Sequence, residues 1–304
     1  MSLWTGFKNA TVAVALVLAA APAFALDFVA ADDLFANRES GRAAIAQARD
    51  AYLQLLAQAT TPSDKIRAVE QLGRLAFYEG ELVVARNDTS ARRQIFGDCW
   101  CRETSIFQRA CVKPGFIDAI SPANLGTKVP AYYYFRGVCS GYWGEAANLL
   151  ERATFSSVLR DNINDGLAQS NDGLNYEGGG IRRVVANVWS NPEARVVGLY
   201  DVHGALEQAN LALAAPAVGG ADAGALFYDN ARSKVAVLEQ LDRDEPTGGW
   251  KDQAISYVTD TLAEMQDRVD TAQLPNGRVP EFKVYFQRLK DDYKYLTGKD
   301  WQTP

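Results

Sequence analysis

The sequence predicts an all-α protein, an irregular solenoid of helical hairpins carrying a disulfide-stapled insertion. Three observations predict it. Apolar residues recur at three- and four-residue spacing over most of the chain, and runs of true alternation are scarce. Small residues sit at matching places on several of these helices. The four cysteines all fall between positions 99 and 139.

The elements follow in chain order. Residues 1–25 carry one cation, Lys8, then an apolar run from Thr11 to Ala21, then Pro22 and the small-residue site Ala23-Phe24-Ala25. That order reads as a cleavable secretory signal peptide, with a mature chain starting near Leu26 and a destination in the periplasm. No second apolar stretch of membrane-spanning length follows, and no cysteine stands at the cleavage point to take a lipid. Residues 26–304 then read as one helical-repeat domain with an insertion at 87–130.

Ala44, Ala48, Tyr52 and Leu55 share one face of a helix near 43–58, and Val69, Leu72, Gly73 and Ala76 share one face of a helix near 65–80 that stops at Gly80. The break Thr60-Thr61-Pro62-Ser63 joins the two as a hairpin. Further helices are expected near 131–143, 145–155, 180–190, 201–215, 225–241 and 252–270, paired as successive antiparallel hairpins. Ala146, Ala205 and Ala254 should face their partner helices. Gly137 and Gly141 should let a hairpin partner approach closely.

The cysteines of an exported chain read as two disulfides. Cys99 and Cys101 flank only Trp100, so each should join Cys111 or Cys139, which leaves two connectivities. Each loop closure is worth on the order of 3 kcal/mol. A zinc site lacks a Cys-x-x-Cys knuckle, and no metal or cofactor is expected.

Composition narrows the function. With 31 Lys+Arg against 37 Asp+Glu the net charge is -6, which gives no field for a polyanion, so nucleic acid is not an expected partner. A single histidine, His203, excludes multi-histidine metal sites, and Asp201 before it reads as a helix cap. No recognisable motif supplies a catalytic residue, so the expected class is a binding protein and not an enzyme. Two places could hold a ligand or partner. The aromatic cluster on the helix from Ala131 offers Tyr132, Phe135, Tyr142 and Trp143, too many rings for one packing seam. The run Tyr176-Glu177-Gly178-Gly179-Gly180, with Arg182 and Arg183 in the first turn of the next helix, resembles an anion cradle.

Val69, Leu72, Gly73 and Ala76 on a first helix, and Ala205, Ala209 and Ala212 followed by Pro216 on a second, resemble the tetratricopeptide repeat family, here degenerate and irregularly spaced. A narrower likeness spans roughly 131–270. The aromatic helix Ala131–Phe135 with Gly137, a helix from Glu145 to Ala153, the Tyr176–Gly180 turn leading into Ile181–Ala186, and the 205–216 helix look like the periplasmic repeat proteins associated with TRAP transporters. That resemblance implies an apolar ligand cavity or pore, self-association into a ring, and docking to a periplasmic solute-binding protein. The expectation is therefore a periplasmic adaptor that binds a partner protein or an apolar small ligand, accessory to solute uptake. The alternatives are an envelope enzyme of lyase or hydrolase type, with a polar cleft in a helical superhelix, and a structural envelope component. A buried Glu in a polar cleft would favour the enzyme; an apolar or mixed concave face would favour the adaptor.

Overall fold

The computed structural model describes residues 27–302 apart from 109, 219–221 and 276. The expected signal segment and cleavage site lie outside the described residues. The chain is all-α, with a single two-stranded hairpin. The helices are α1 (Phe28–Ala36), α2 (Arg42–Gln58), α3 (Pro62–Phe77), α4 (Thr89–Cys99), α5 (Pro122–Leu125), α6 (Pro130–Ala146), α7 (Leu149–Leu167), α8 (Asn171–Ser190), α9 (Val202–Leu213), α10 (Tyr228–Asp244), α11 (Trp250–Asp270) and α12 (Val279–Thr297). The hairpin pairs β1 (Cys101–Ser105) antiparallel with β2 (Ala110–Pro114).

Local chemistry sets the helix starts. Thr61 caps α3, accepting from the Asp64 amide at 3.1 Å, and Pro62 occupies the first turn where no N–H is needed. Asn148 and Glu151 form a reciprocal capping box on α7. Asp201 caps α9 through the Gly204 amide at 2.9 Å, as its position suggests, while His203 pairs with Glu245 on the surface at 2.7 Å.

Helices α3, α6, α8, α10 and α12 lie side by side in that order, and α12 returns to the 78–83 segment that continues α3. These five form a closed inner ring. Outside them, α2 covers α3, α4 covers α6, α7 covers α6 and α8, α9 covers α8 and α10, and α11 covers α10 and α12. The expected hairpins are present, but the array closes on itself instead of leaving an open concave face. The apolar side chains fall into two clusters, one drawn from residues between Phe28 and Ile181 and the other from residues between Ala186 and Leu296. Where α12 meets the first third of the chain, Phe77 and Leu82 pack on the second cluster and two ion pairs join in, Arg38 with Glu281 at 2.6 Å and Arg288 with Glu81 at 2.6 Å.

Several expectations are corrected. Ala146 ends α6 and does not open a second helix, because Asn148 caps a new helix there. Leu150 and Ala153 of α7 are exposed, and the buried side of α7 carries Phe155, Ile163 and Gly166. Ala205 and Ala254, in contrast, are fully buried. Helix α3 does not stop at Gly80. It runs on as a wide π turn, Tyr78–Val83, because the Phe96 ring lies where a Cβ of residue 80 would be, 2.5 Å away. The stretch 87–130 is only partly an insertion, since its first third is α4, whose Ile95, Phe96 and Cys99 bury against the ring. Helices α1 and α12 also lie beyond the expected set.

The disulfides join Cys99 to Cys139 and Cys101 to Cys111. The first ties α4 to α6, and the second clamps the β-hairpin across its own strands.

Candidate functional site

The inner helices, with α7 and the segment that follows α8, line a half-open cavity of about 330 Å³, within the range of small-molecule sites. Its origin is local. On α6, Gly137, Gly141 and Gly144 repeat at helical spacing. A Cβ at 137 would come within 3.1 Å of Val184 on α8, whereas at 141 and 144 nothing lies within 4 Å. Helices α6 and α8 thus touch at Gly137 and part beyond it. Gly137 serves contact with α8, not with its hairpin partner α7.

The floor of the cavity is a paired polar layer. Arg183 is buried and spends its guanidinium on three partners: Nε faces Asp229 Oδ2 at 3.0 Å, Nη1 donates to Asn230 Oδ1 at 2.6 Å, and Nη2 donates to the Tyr134 hydroxyl at 2.7 Å. Burial works against its charge, but the Asp229 carboxylate outweighs that and holds the guanidinium firmly protonated. Asn230 in turn donates to the carbonyls of Gly178 at 2.7 Å and Gly224 at 2.8 Å, tying α10 to the break in α8. Asp229 Oδ1 has no hydrogen-bond donor among the described residues; the nearest cationic atom recorded there, Arg278 Nη2, stands 3.9 Å away.

Tyr285 of α12 and Tyr142 of α6 line the middle of the cavity. Burial raises both phenols well above their ordinary value, and the nearby carboxylates of Asp229 and Glu81 push further in the same direction. Both hydroxyls therefore stay protonated. Tyr142 stacks on Phe96 with ring centroids 4.9 Å apart, so its ring is fixed by packing.

Towards the mouth sits an acid–guanidinium cluster. Glu81 accepts from Arg288 at 2.6 Å, Arg86 at 3.0 Å and Arg92 at 3.1 Å. Burial pushes its carboxyl up, but the Arg86 and Arg288 guanidiniums prevail and hold it below the usual range. Glu145 shares Arg92 at 3.1 Å and lines the cavity with a half-accessible side chain. Burial and then the Glu81 charge raise Glu145, with Arg92 opposing. Two neighbouring carboxyls are thereby driven apart, one ionised and locked, the other displaced towards its neutral form. Among the described residues no group of acidic, cysteine or histidine side chains is arranged to hold a metal.

The apolar arm of the lining comes from α6, α7, α8 and the segment after α8, as Val138, Phe155, Leu159, Val188, Val197 and Leu199.

The structure distributes the sequence-derived candidates unevenly. Tyr142, Trp143 and Arg183 line the cavity. Phe135 belongs to the core: its ring fills the space where Gly73 of α3 lacks a Cβ. Trp143 is also nearly buried, edge-on to Trp100 and Phe155. Tyr132 stands away from the cavity against Tyr133 and Arg136. Tyr176 donates to Glu70 at 2.7 Å. Arg182 turns to Gln208 on α9.

The glycine run is a packing device. Glu177, Gly178 and Gly179 all have positive φ, breaking α8 into two arms, and the Glu177 carboxylate is held by Arg74. A Cβ at Gly178 would lie 2.2 Å from the Phe227 ring, at Gly179 2.7 Å from Ala212 Cα, and at Gly180 2.6 Å from the Tyr134 ring. Protein already fills the place an anion would need, which corrects the cradle reading.

Sequence reasoning missed Glu81, Glu145, Asp229, Arg232 and Tyr285. Apart from Asp229 and Arg232, both on α10, they come from separate elements, and they form no local motif. One signal was present, since Glu79 and Glu81 interrupt the apolar run from Leu72 to Val84 and buried charges are rare without partners. Comparison with protein-family models, curated proteins and solved structures gives no match.

Proposed function

We propose that this chain is an exported, periplasmic binding protein that takes one small molecule into the cavity lined by its inner helices. The observation that carries this reading is the cavity itself: a space of about 330 Å³ whose lining combines hydroxyl, amide and guanidinium groups with apolar side chains. Two disulfides suit an oxidising compartment, and no described helix is long and apolar enough to cross a membrane. The sequence resemblance to tetratricopeptide and TRAP-associated repeat proteins supports a proposed setting beside a solute-uptake system, with a periplasmic solute-binding protein as the partner that delivers or receives the ligand.

The enzyme reading has one observation in its favour, the raised Glu145 beside the ionised Glu81. Glu81, however, is saturated by Arg86, Arg92 and Arg288. Held ionised by these guanidiniums, its carboxylate is a weakened base, so the binding reading is preferred.

Native mass spectrometry of the protein purified from its own envelope tests the proposal. The expected result is a small-molecule adduct that survives gentle ionisation and is lost in Gly141→Leu, whose new side chain projects into the open space beside α6. An adduct of unchanged occupancy in that variant, or none in the parent, refutes the cavity as the site.

A further inference from the structure

The lining chemistry narrows the ligand class, an inference that rests on the binding reading above. Every charged group facing the cavity already has a counter-ion. Arg183 is paired with Asp229 at 3.0 Å, Arg86 with Glu81 at 3.0 Å, Glu145 with Arg92 at 3.1 Å and Arg232 with Asp292 at 3.3 Å. At the mouth Arg152 is paired with Glu193. An anionic or cationic ligand would have to break one of these pairs and leave its partner uncompensated in a largely buried site.

The groups left over are neutral. No described residue hydrogen-bonds the hydroxyls of Tyr142, Tyr285 or Ser233 or the side-chain amide of Asn187, and all four line the cavity. Three can both donate and accept, and the amide supplies one of each kind. The lining also offers apolar surface, from Val138, Phe155, Leu159 and Val188.

We infer that the cavity takes an uncharged amphiphile, a hydroxyl-bearing head with an apolar body. The head exchanges hydrogen bonds with Tyr142, Tyr285 and Ser233, and the body runs between α6 and α8 into the arm under α7. Specificity against ions follows from the same geometry. A hydroxyl satisfies groups that are otherwise unpaired, whereas a carboxylate or ammonium of the same length arrives desolvated and finds every counter-charge engaged.

A matched set of probes tests the class: octan-1-ol, octanoate and octylammonium, titrated by calorimetry at pH 7 into the full mature chain. Octan-1-ol is expected to bind at least tenfold more tightly than either ion. Tyr142→Phe/Tyr285→Phe, which removes two hydroxyls and keeps both rings, should weaken octan-1-ol at least fivefold. Val188→Trp, or Gly141→Leu should the first fail to fold, should abolish binding by blocking the arm or the chamber. The inference is overturned by an ion that binds as tightly as the alcohol, by an unchanged double variant, or by no binding of any probe. In each case the adduct experiment on the native protein shows whether the cavity reading falls too: a bound molecule released by Gly141→Leu leaves the cavity standing and removes only the assigned class.

Discussion

The closure of the ring rests on Glu81, and Glu81→Gln should show how much. The side chain is about 2% exposed, and its carboxylate accepts from Arg92, itself about 5% exposed, and from Arg288, about 20% exposed. Arg86, the third partner, keeps a mostly solvated side chain, so its charge helps to lower the Glu81 carboxyl but it is not left buried when that charge is removed. Glutamine keeps the shape but leaves two largely buried guanidiniums facing a neutral amide. Removing one member of a buried ion pair costs about 3–5 kcal/mol. For a chain of this size that corresponds to a fall in Tm of about 6–20 °C. The pH dependence carries the sign. Because Arg86 and Arg288 hold the folded Glu81 below its ordinary value of 4.5, its contribution is complete above that pH and is lost as pH falls through the folded value. Thermal unfolding followed by circular dichroism from pH 7 to pH 3 should therefore show a wide gap between parent and variant at neutral pH, narrowing in acid. A gap below about 2 °C at pH 7, or one that stays constant into acid, would refute the view that this ion pair closes the ring.

Four further outcomes follow from the packing. Phe135→Ala, deleting a ring seated over Gly73, should cost about 3–5 kcal/mol in denaturant unfolding, the cost of a core residue and not of a surface anchor. Gly141→Ala, with open space at its Cβ, should gain up to about 1 kcal/mol from helix propensity, whereas Gly178→Ala, at φ 58° and 2.2 Å from Phe227, should lower the yield of folded protein. Replacing Cys99 and Cys139 by Ala opens a loop of 40 residues and should cost about 4 kcal/mol, against about 3 kcal/mol for Cys101 and Cys111 with their separation of 10; denaturant titration of the two double variants checks the order. Glu239, pushed up to about 7 by burial and by Asp292, makes the fold pay for its ionisation as pH rises from 4.5 to 7, so Glu239→Gln should raise Tm at pH 8 and leave it nearly unchanged at pH 4.5.

How much of this was legible in the sequence depends on the distance over which each feature is decided. Helices α2, α3, α9, α10 and α11 were readable because the residues that bury them, such as Ala48, Tyr52 and Leu55 on α2, repeat within the element itself. Helix α12 carries the same signal in Phe282, Tyr285, Leu289 and Leu296, and a strict search for that spacing finds it. Helix α4 is harder: Ile95, Phe96 and Cys99 make its apolar contact, while Arg92, which looks like a surface residue, is buried because Glu81 and Glu145 receive it. Glycine shows the limit most clearly. Gly73 admits a ring, Gly137 admits Val184, Gly141 admits nothing and so leaves room for a ligand, and Gly178 supplies a left-handed turn under Phe227. A sequence records the missing side chain identically in all four cases, and only the neighbour decides the meaning.

The cavity is the extreme case of that rule. Its defining contacts join residues far apart in the chain, 207 positions for Arg288 to Glu81 and 49 for Arg183 to Tyr134. No window of helical length contains both partners. A charged residue read alone on a helix defaults to solvent, because an unpaired charge inside is prohibitively costly. The same cost makes the observed pairing informative. Chains that could bury leucine at these positions would gain stability at least as easily, since buried ion pairs seldom outdo apolar packing. What the paired layer adds is a polar interior whose charges are already spent, so that the neutral hydroxyls of Tyr142, Tyr285 and Ser233 are what the cavity presents to a molecule entering it.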